Sequence, residues 1–456
     1  MMDALTLRDI AASIGAAYEG DLTVRRVCTD SRSVAPGDLY VALVGERFDG
    51  NQFIAQAAAA GACAAVVSRP GDARLPQLQV TDTRRALGEI ARLNRRAFRG
   101  PLIAVTGSAG KTTVKNMLAA IFAVDGPVLA TEGNFNNEIG VPLTLLRLAP
   151  EHRAAVIEMG AARAGDIAYL CQFAEPDVGV ITNALAAHIQ SFGDIAGVAR
   201  TKGEIYSSLG PKGVAVINAD AGYCSLWRKL AGARRQILFG LSESADVRAT
   251  DLAPDARGQG FMLHFEGRSA PVRLPLLGRH NVVNALAAAA AALAVGTRLE
   301  QIVEGLASVR AVPGRLYLRR TDAGAELIDD SYNANPAAVR AAIDVLASRR
   351  GRRLLVLGDM AELGDQSERM HREVAQYASD CGIDELLAIG RNAALMADAF
   401  AGPARVFASH EALANHLAAS TRAGDSMLVK GSRSSHMDRV VTALCAQTDT
   451  NTGGVH

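Results

Sequence analysis

The sequence predicts an α/β protein in three parts: a small mixed α/β unit, a central unit on a mostly parallel sheet, and a smaller doubly wound, Rossmann-like unit. Three observations predict it. The chain has 456 residues, too many for one hydrophobic core at roughly 100 to 200 residues per domain. Short apolar runs alternate with helix-length segments through the middle and last thirds, the rhythm of parallel strands joined by crossover helices. Composition shifts at the basic stretch Arg92 to Gly100, closed by Pro101, and again at Val312-Pro313-Gly314, dividing the chain near 1–100, 101–312 and 313–456.

In the first part, strand-like Leu39 to Leu43 and Ala64 to Val67 flank an alanine-rich helix over Phe53 to Ala60. The central part offers Leu102 to Thr106, Ala154 to Ile157, Val178 to Thr182 and Val214 to Asn218, each an apolar run of the length that buried strands use. Its longest apolar stretch, Ala285 to Val295, is far shorter than the ~20 residues that span a bilayer and reads as a buried helix. Leu354 to Leu357, Glu385 to Ile389 and Met427 to Lys430 repeat the strand pattern in the last part. Disorder is expected only in the polar tail after Gln447.

Lysine and arginine number 48 against 47 acidic residues, a net charge of +1. So even a balance supplies no broad field for nucleic acid or an anionic membrane, and any anion must be captured locally. The six cysteines lie far apart with no CxxC pair, which argues against a disulfide framework or a zinc cluster and for buried free thiols in a reducing compartment. Asp3, Arg8 and Asp9 interrupt the N-terminal apolar residues, so no secretory signal is expected and the protein is placed in the cytoplasm.

The most informative segment is Thr106-Gly107-Ser108-Ala109-Gly110-Lys111-Thr112-Thr113, which follows an apolar strand and opens a helix running to about Val124. Glycines let the backbone curl until several N–H groups face phosphate oxygens, and the helix N-terminus adds partial positive charge. Lys111 can reach the β and γ phosphates, and Thr112 offers a hydroxyl to Mg²⁺. The common GxxxxGK[ST] spacing is not met, because Gly107 stands only three residues before Gly110. The loop is a shortened variant, and the central unit reads as a P-loop-type ATP-binding domain. Glu158 ends the run Ala154 to Ile157, where a parallel strand delivers it to the carboxyl edge of the sheet beside this loop. A hard Mg²⁺ ion favours such an oxygen donor.

Four further segments, TNALAAHIQSFG (Thr182 to Gly193), ARTKGEI (Ala199 to Ile205), GRHNVVNALAA (Gly278 to Ala288) and DDSYNANP (Asp329 to Pro336), together with TGSAGKTT resemble the Mur ligase superfamily. The likeness runs from TDSRSVAPGDLYVAL near residue 30 to LVKGSRSSHM near residue 430. GNFNNEIGVP, DDSYNANP and GDMAELG look like the member that adds D-alanyl-D-alanine. The resemblance implies that ATP phosphorylates the terminal carboxylate of a UDP-N-acetylmuramoyl-tripeptide and that the dipeptide amine then displaces phosphate. Phosphate is a far better leaving group than oxide, so the protein's task is to position charged groups and neutralise growing charge.

The resemblance also implies roles for individual residues. His188 helps bind a second Mg²⁺, and Lys202 is similar to a lysine that the family carbamylates with CO₂, which requires an amine whose pKa is lowered. His280, Asn281 and Asn284 face the adenine, with helix capping by Asn281 as a competing reading. Arg315 and Asp330 are similar to contacts to phosphate and ribose, so that ATP bridges two domains. On the sugar-nucleotide side stand Ser31 and Arg32, the Phe48-Asp49-Gly50 turn, and Asn136 and Asn137. For the dipeptide the positions are Asn333, Asn335, Lys430, Ser432 and Arg433, whose guanidinium suits a carboxylate. A monomer is expected. Two rivals stand beside this reading: another ligase of the superfamily, adding a third residue or resembling folylpolyglutamate synthase, and a nucleotide-dependent switch that forms no amide.

Overall fold

Residues 5–45, 48–185 and 192–445 are described by a computed structural model of the chain. His188, Asp3 and the polar tail after Gln447 lie outside the described residues. Three sheets dominate, and each owes its placement to fully buried strands. The first has four parallel strands in the order Arg26–Cys28, Asp38–Val41, Ala64–Val67, Gln77–Gln79. The helix expected over Phe53 to Ala60 is a 3₁₀ turn, Gly50–Phe53, running into an α-helix, Ile54–Ala59. Asp49 starts that turn by accepting from the Asn51 N–H at 3.0 Å.

The basic stretch before Pro101 is the end of the helix Thr83–Ala97. It is a clamp between the first and second sheets. Arg92 and Arg96 pair with Glu175, Arg95 reaches the Ala174 carbonyl and Asp177, and the buried Asn94 amide donates to the carbonyls of Leu145 and Leu148.

The central sheet has nine strands, ordered Val128–Ala130, Ala154–Glu158, Leu102–Thr106, Val178–Ile181, Val214–Asn218, Arg235–Gly240, Val247–Asp255, Gly258–Phe265, Arg268–Leu274. The first seven are parallel and the last two antiparallel. This antiparallel edge was not expected from the strand–helix alternation, although the Glu266-Gly267 turn, with φ of 46° and 74°, is the backbone that a two-residue hairpin demands. Ala285 and the alanines 287–292 of the helix Arg279–Ala294 are all buried, and their small side chains let it lie against the sheet and the helix Lys111–Ala123. No helix among the described residues is long and apolar enough to cross a membrane.

The third sheet is ordered Tyr317–Arg320, Glu326–Asp330, Ser426–Lys430, Arg353–Leu357, Glu385–Ile389, Ala404–Phe407, parallel except at its first strand. The strand that comes last in the chain is inserted mid-sheet, so Asp330 and Lys430 lie opposite each other at the carboxyl ends. Such a switch in strand order opens a crevice for ligands. All six cysteines are free, but only Cys28, Cys171 and Cys445 are buried, whereas Cys63, Cys224 and Cys381 are half-buried, a correction to the expectation of buried thiols throughout.

Candidate active site

The phosphate-loop strand Leu102–Thr106 lies between Ala154–Glu158 and Val178–Ile181, so Glu158 and Thr182 arrive on either side of the loop. Gly107 adopts φ +149°, and a Cβ there would sit 1.8 Å from Thr182 Oγ1; one at Gly110, φ +81°, would sit 2.5 Å from Asn284 Oδ1. Both positions therefore need glycine. The segment after Val178–Ile181 braces the curl: Thr182 Oγ1 donates to the Ala109 carbonyl at 2.6 Å, and Asn183 Oδ1 accepts the Ala109 N–H at 3.0 Å. Ser108 N–H in turn donates to the Asn183 carbonyl at 3.1 Å.

Lys111 opens the helix Lys111–Ala123 and parks its ammonium on the Gly107 carbonyl at 2.9 Å. It is half-buried. Thr112 Oγ1 donates to Glu158 Oε2 at 2.9 Å, and Asn136 Nδ2 donates to Glu158 Oε1 at 2.8 Å. Arg315, from just beyond Val312-Pro313-Gly314, the hinge between the central and last parts, donates to Thr112 Oγ1 at 3.1 Å and lies 4.3 Å above the Tyr332 ring. A second lysine underpins the carboxylate. Lys115 Nζ donates to the Thr131 carbonyl at 2.6 Å, and Thr131 Oγ1 accepts the Glu158 N–H at 2.9 Å.

Burial lowers the pKa of Lys111, with Glu158 opposing and Arg315 reinforcing. Lys202, in the middle of the helix Ile195–Ser207, is buried rather than solvated, and its pKa falls to about 7 through burial and then the Lys111 cation. Asp166 and Glu204 oppose that shift.

Two cavities meet at the loop. One, about 330 Å³, runs from Ser108, Ala109, Gly110 and Thr113 to His280, Asn281 and Asn284, and across to Arg315, Asp330, Asn333, Asn335 and Lys430. The other, about 290 Å³, gathers Gly107, Ser108, Lys111, Asn136, Asn137 and Lys202 with Asp166 and Tyr169, which the sequence reading missed. In the first, Asn281 Nδ2 donates to the Leu277 carbonyl at 2.7 Å and Asn284 Nδ2 to Asn281 Oδ1 at 2.9 Å. Asn281 does not cap the helix, because Gly278 holds that position. Burial pulls His280 down to about 4, helped by Lys430, and so keeps it neutral.

The dipeptide positions divide. Lys430 Nζ donates to Asp330 Oδ2 at 2.6 Å and to the Asn333 carbonyl at 2.8 Å, and burial raises the Asp330 pKa against the pull of Lys430. Asn335 caps the helix Pro336–Ala347 by accepting the Ala338 N–H at 2.9 Å. Ser432 and Arg433 line neither cavity, although Arg433 shares the Tyr332 ring with Arg315, 5.7 Å from its centroid. Ser31, buried and bonded to Gln56, Arg32, paired with Asp30, and Asp49, paired with Arg69, also lie outside both cavities.

Thr112 and Glu158 supply adjacent hard oxygens, a donor set that fits one Mg²⁺ completed by phosphate and water. Among the described residues no group of three or more His, Cys, Asp or Glu side chains could hold a metal without such help. Gly107→Ala is expected to cost about 1–3 kcal/mol of stability through strain at positive φ and to weaken ADP binding by displacing Thr182 from Ala109. Thermal unfolding and an ADP titration check this, and unchanged affinity would detach the loop from nucleotide binding.

Three family models cover the chain: Mur ligase family, catalytic domain, at residues 23–95; Mur ligase middle domain at 105–292; and Mur ligase, glutamate ligase domain, at 314–433. The chain is 45% identical to UDP-N-acetylmuramoyl-tripeptide--D-alanyl-D-alanine ligase of Escherichia coli strain K12, over 97% of this chain and 99% of that one. It superposes on a crystal structure of MurF from Acinetobacter baumannii with a TM-score of 0.92 and 37% identity, covering 97% and 99% of the two chains. MurF ligase from Thermotoga maritima, solved in complex with ADP, gives 0.85 and 29% over 95% and 100%. On three matched models and near-full-length relatives, the chain belongs to the Mur ligase family.

Proposed function

We propose that the chain is an ATP-dependent ligase that adds D-alanyl-D-alanine to UDP-N-acetylmuramoyl-tripeptide through an acyl phosphate, as a monomer in the cytoplasm. Relatives of that name match it along almost its whole length. The observation that carries the chemistry is the phosphate loop standing between two cavities, with Ser108 on the wall of both. Adenosine suits the first, where Asn281 and Asn284 offer amides to a base edge and Asp330 stands ready for ribose. The peptide carboxylate suits the second, beside Lys111, Asn136 and Asn137.

A carboxylate oxygen attacks the γ phosphorus, the bond to the β-phosphate oxygen breaks, and ADP leaves. The dipeptide amine then attacks the acyl carbon, its C–O bond to phosphate breaks, and the nitrogen loses a proton as the amide forms. Lys111 and Arg315 neutralise charge on the transferring group. Mg²⁺ would be held by Thr112 and Glu158, with His188 and an N6-carboxylated Lys202 as ligands for a second ion, and would supply charge neutralisation. Lys430 orients Asp330, while Asn333, Asn335, Ser432 and Arg433 form the dipeptide side. Ser31, Arg32 and Asp49 form the UDP side.

The division of labour follows the chain: 1–100 for the sugar nucleotide, 101–312 for ATP, and 313–456 for the dipeptide. Arg315 links the last two by touching Thr112 across the hinge, so closure assembles the site and excludes water from the acyl phosphate.

The test supplies ATP, Mg²⁺ and UDP-N-acetylmuramoyl-tripeptide and compares phosphate release with D-alanyl-D-alanine, single amino acids or glutamate. Release and pentapeptide formation are expected only with the dipeptide. Turnover indifferent to both peptides would instead support a switch, and turnover with a single amino acid another ligase of the family. Running it with lysine- and diaminopimelate-ended tripeptides also assigns the third residue.

A further inference from the structure

Behind the nucleotide cavity lies a third one of about 650 Å³, walled by the antiparallel edge of the central sheet, the start of the helix Arg279–Ala294 and the far end of the helix Pro336–Ala347. Its size is that of a small-molecule site. His280, Val283 and Ala341 line both cavities and part them, so the third touches neither the phosphate loop nor Lys111. The reaction described above makes no use of it.

Its chemistry is one-sided. Leu252, Leu277, Val283 and Val345 give it an apolar body. Two arginines and two aspartates line it, but the acids are spent elsewhere. Asp255 accepts the N–H groups of Arg257 and Gly258 at 2.7 and 2.9 Å and pairs with Arg273; Asp344 accepts the Tyr377 hydroxyl at 2.5 Å. Arg349 is the opposite case. Its side chain is only 9% exposed, Nε lies 3.3 Å from Glu326 Oε1 without hydrogen-bond geometry, and Nη1 donates to the Ala256 carbonyl at 2.9 Å. Nη2 is buried with no acceptor, which leaves a desolvated donor unsatisfied. Arg279 adds a second guanidinium, and Gly278 brings no side chain to cap the first N–H groups of the helix beside it.

We propose that this cavity is a second small-molecule site, adjoining and separate from the nucleotide pocket, that takes a compact carboxylate with an apolar or aromatic body. The carboxylate accepts from Arg349 and Arg279, and the body lies on Leu252 and Val283. Arg349 belongs to the third sheet's side of the hinge and Arg279 to the central side, so an occupant bridges both.

Fluorine NMR titration of the full chain, saturated with ADP and Mg²⁺, tests this with para-trifluoromethylbenzoate and its neutral carboxamide. The acid is expected to bind at least about tenfold more tightly than the amide, the ratio that one hydrogen bond to a charged group sustains. Arg349→Gln and Leu252→Trp should each lose most of that binding, the first by removing the guanidinium charge and its reach and the second by filling the cavity. Should Arg349→Gln not fold, Leu252→Trp decides. Equal binding of acid and amide, binding of the acid that appears only when ADP is left out, or wild-type binding to Leu252→Trp would each overturn the proposal, and none of them bears on ligation.

Discussion

Lys111→Ala is expected to lower kcat for ligation by about 10²–10³-fold, the usual loss when a preorganised charge on a reacting group is removed. The fold should survive. In the absence of nucleotide the ammonium makes one hydrogen bond, to the Gly107 carbonyl, and such a bond is worth about 1 kcal/mol net. Thermal unfolding should therefore shift by a few degrees at most. Burial lowers the Lys111 pKa, with Glu158 opposing that shift and Arg315 reinforcing it. The substitution has a second effect, because Lys111 is the chief cation depressing the Lys202 pKa and its loss should let that value rise. Ligation kinetics with circular dichroism separate these effects, and full activity in a folded variant would remove the phosphate role.

The phosphate loop was legible because everything that specifies it is local: a buried strand, glycines where φ is positive, and a helix starting at Lys111. Glu158 was legible for the same reason, as the last residue of a strand. What holds the loop in shape was not. Thr182 and Asn183 meet Ala109 from more than seventy residues away, and only the neighbouring of their strands in the sheet brings them there. Asp166 and Tyr169 lie on the wall of the second cavity through the packing of one helix, with no motif to mark them. The capping role of Asn335 had a local signal, since asparagine followed by proline is the pattern of an N-cap with proline at the first helical position. In the third sheet, the order of strands carries information that their sequence does not. Only insertion of Ser426–Lys430 beside Glu326–Asp330 puts Lys430 against Asp330, as a buried ion pair on the wall of the nucleotide cavity.

Lys202→Ala should abolish most ligation, by about 10²-fold or more if Lys202 bears a charge-positioning carbamate. Carbamate formation needs a neutral amine, and an ordinary lysine near pKa 10.4 offers one in only a few thousand at pH 7. At a pKa of about 7, brought down by burial and Lys111, roughly half of the Lys202 amines are neutral. The neutral amine can attack CO₂ and lose a proton, and the product replaces a cation with an oxygen-rich anion in the cavity shared with Lys111 and Asn136. Bicarbonate should leave the alanine variant inactive, whereas short carboxylates such as acetate should restore part of the rate by supplying the missing oxygens.

The same shift predicts a stability signature in CO₂-free buffer. Between about pH 7 and the ordinary lysine value the unfolded chain binds more protons at this site than the folded protein does. Stability from Lys202 therefore rises with pH across that window, and below it the desolvation penalty is felt in full. Lys202→Ala should flatten that slope, which thermal unfolding across the window measures. Wild-type turnover in the variant would refute the carbamate, whereas an unchanged slope with lost turnover would keep the catalytic role and deny the depressed amine.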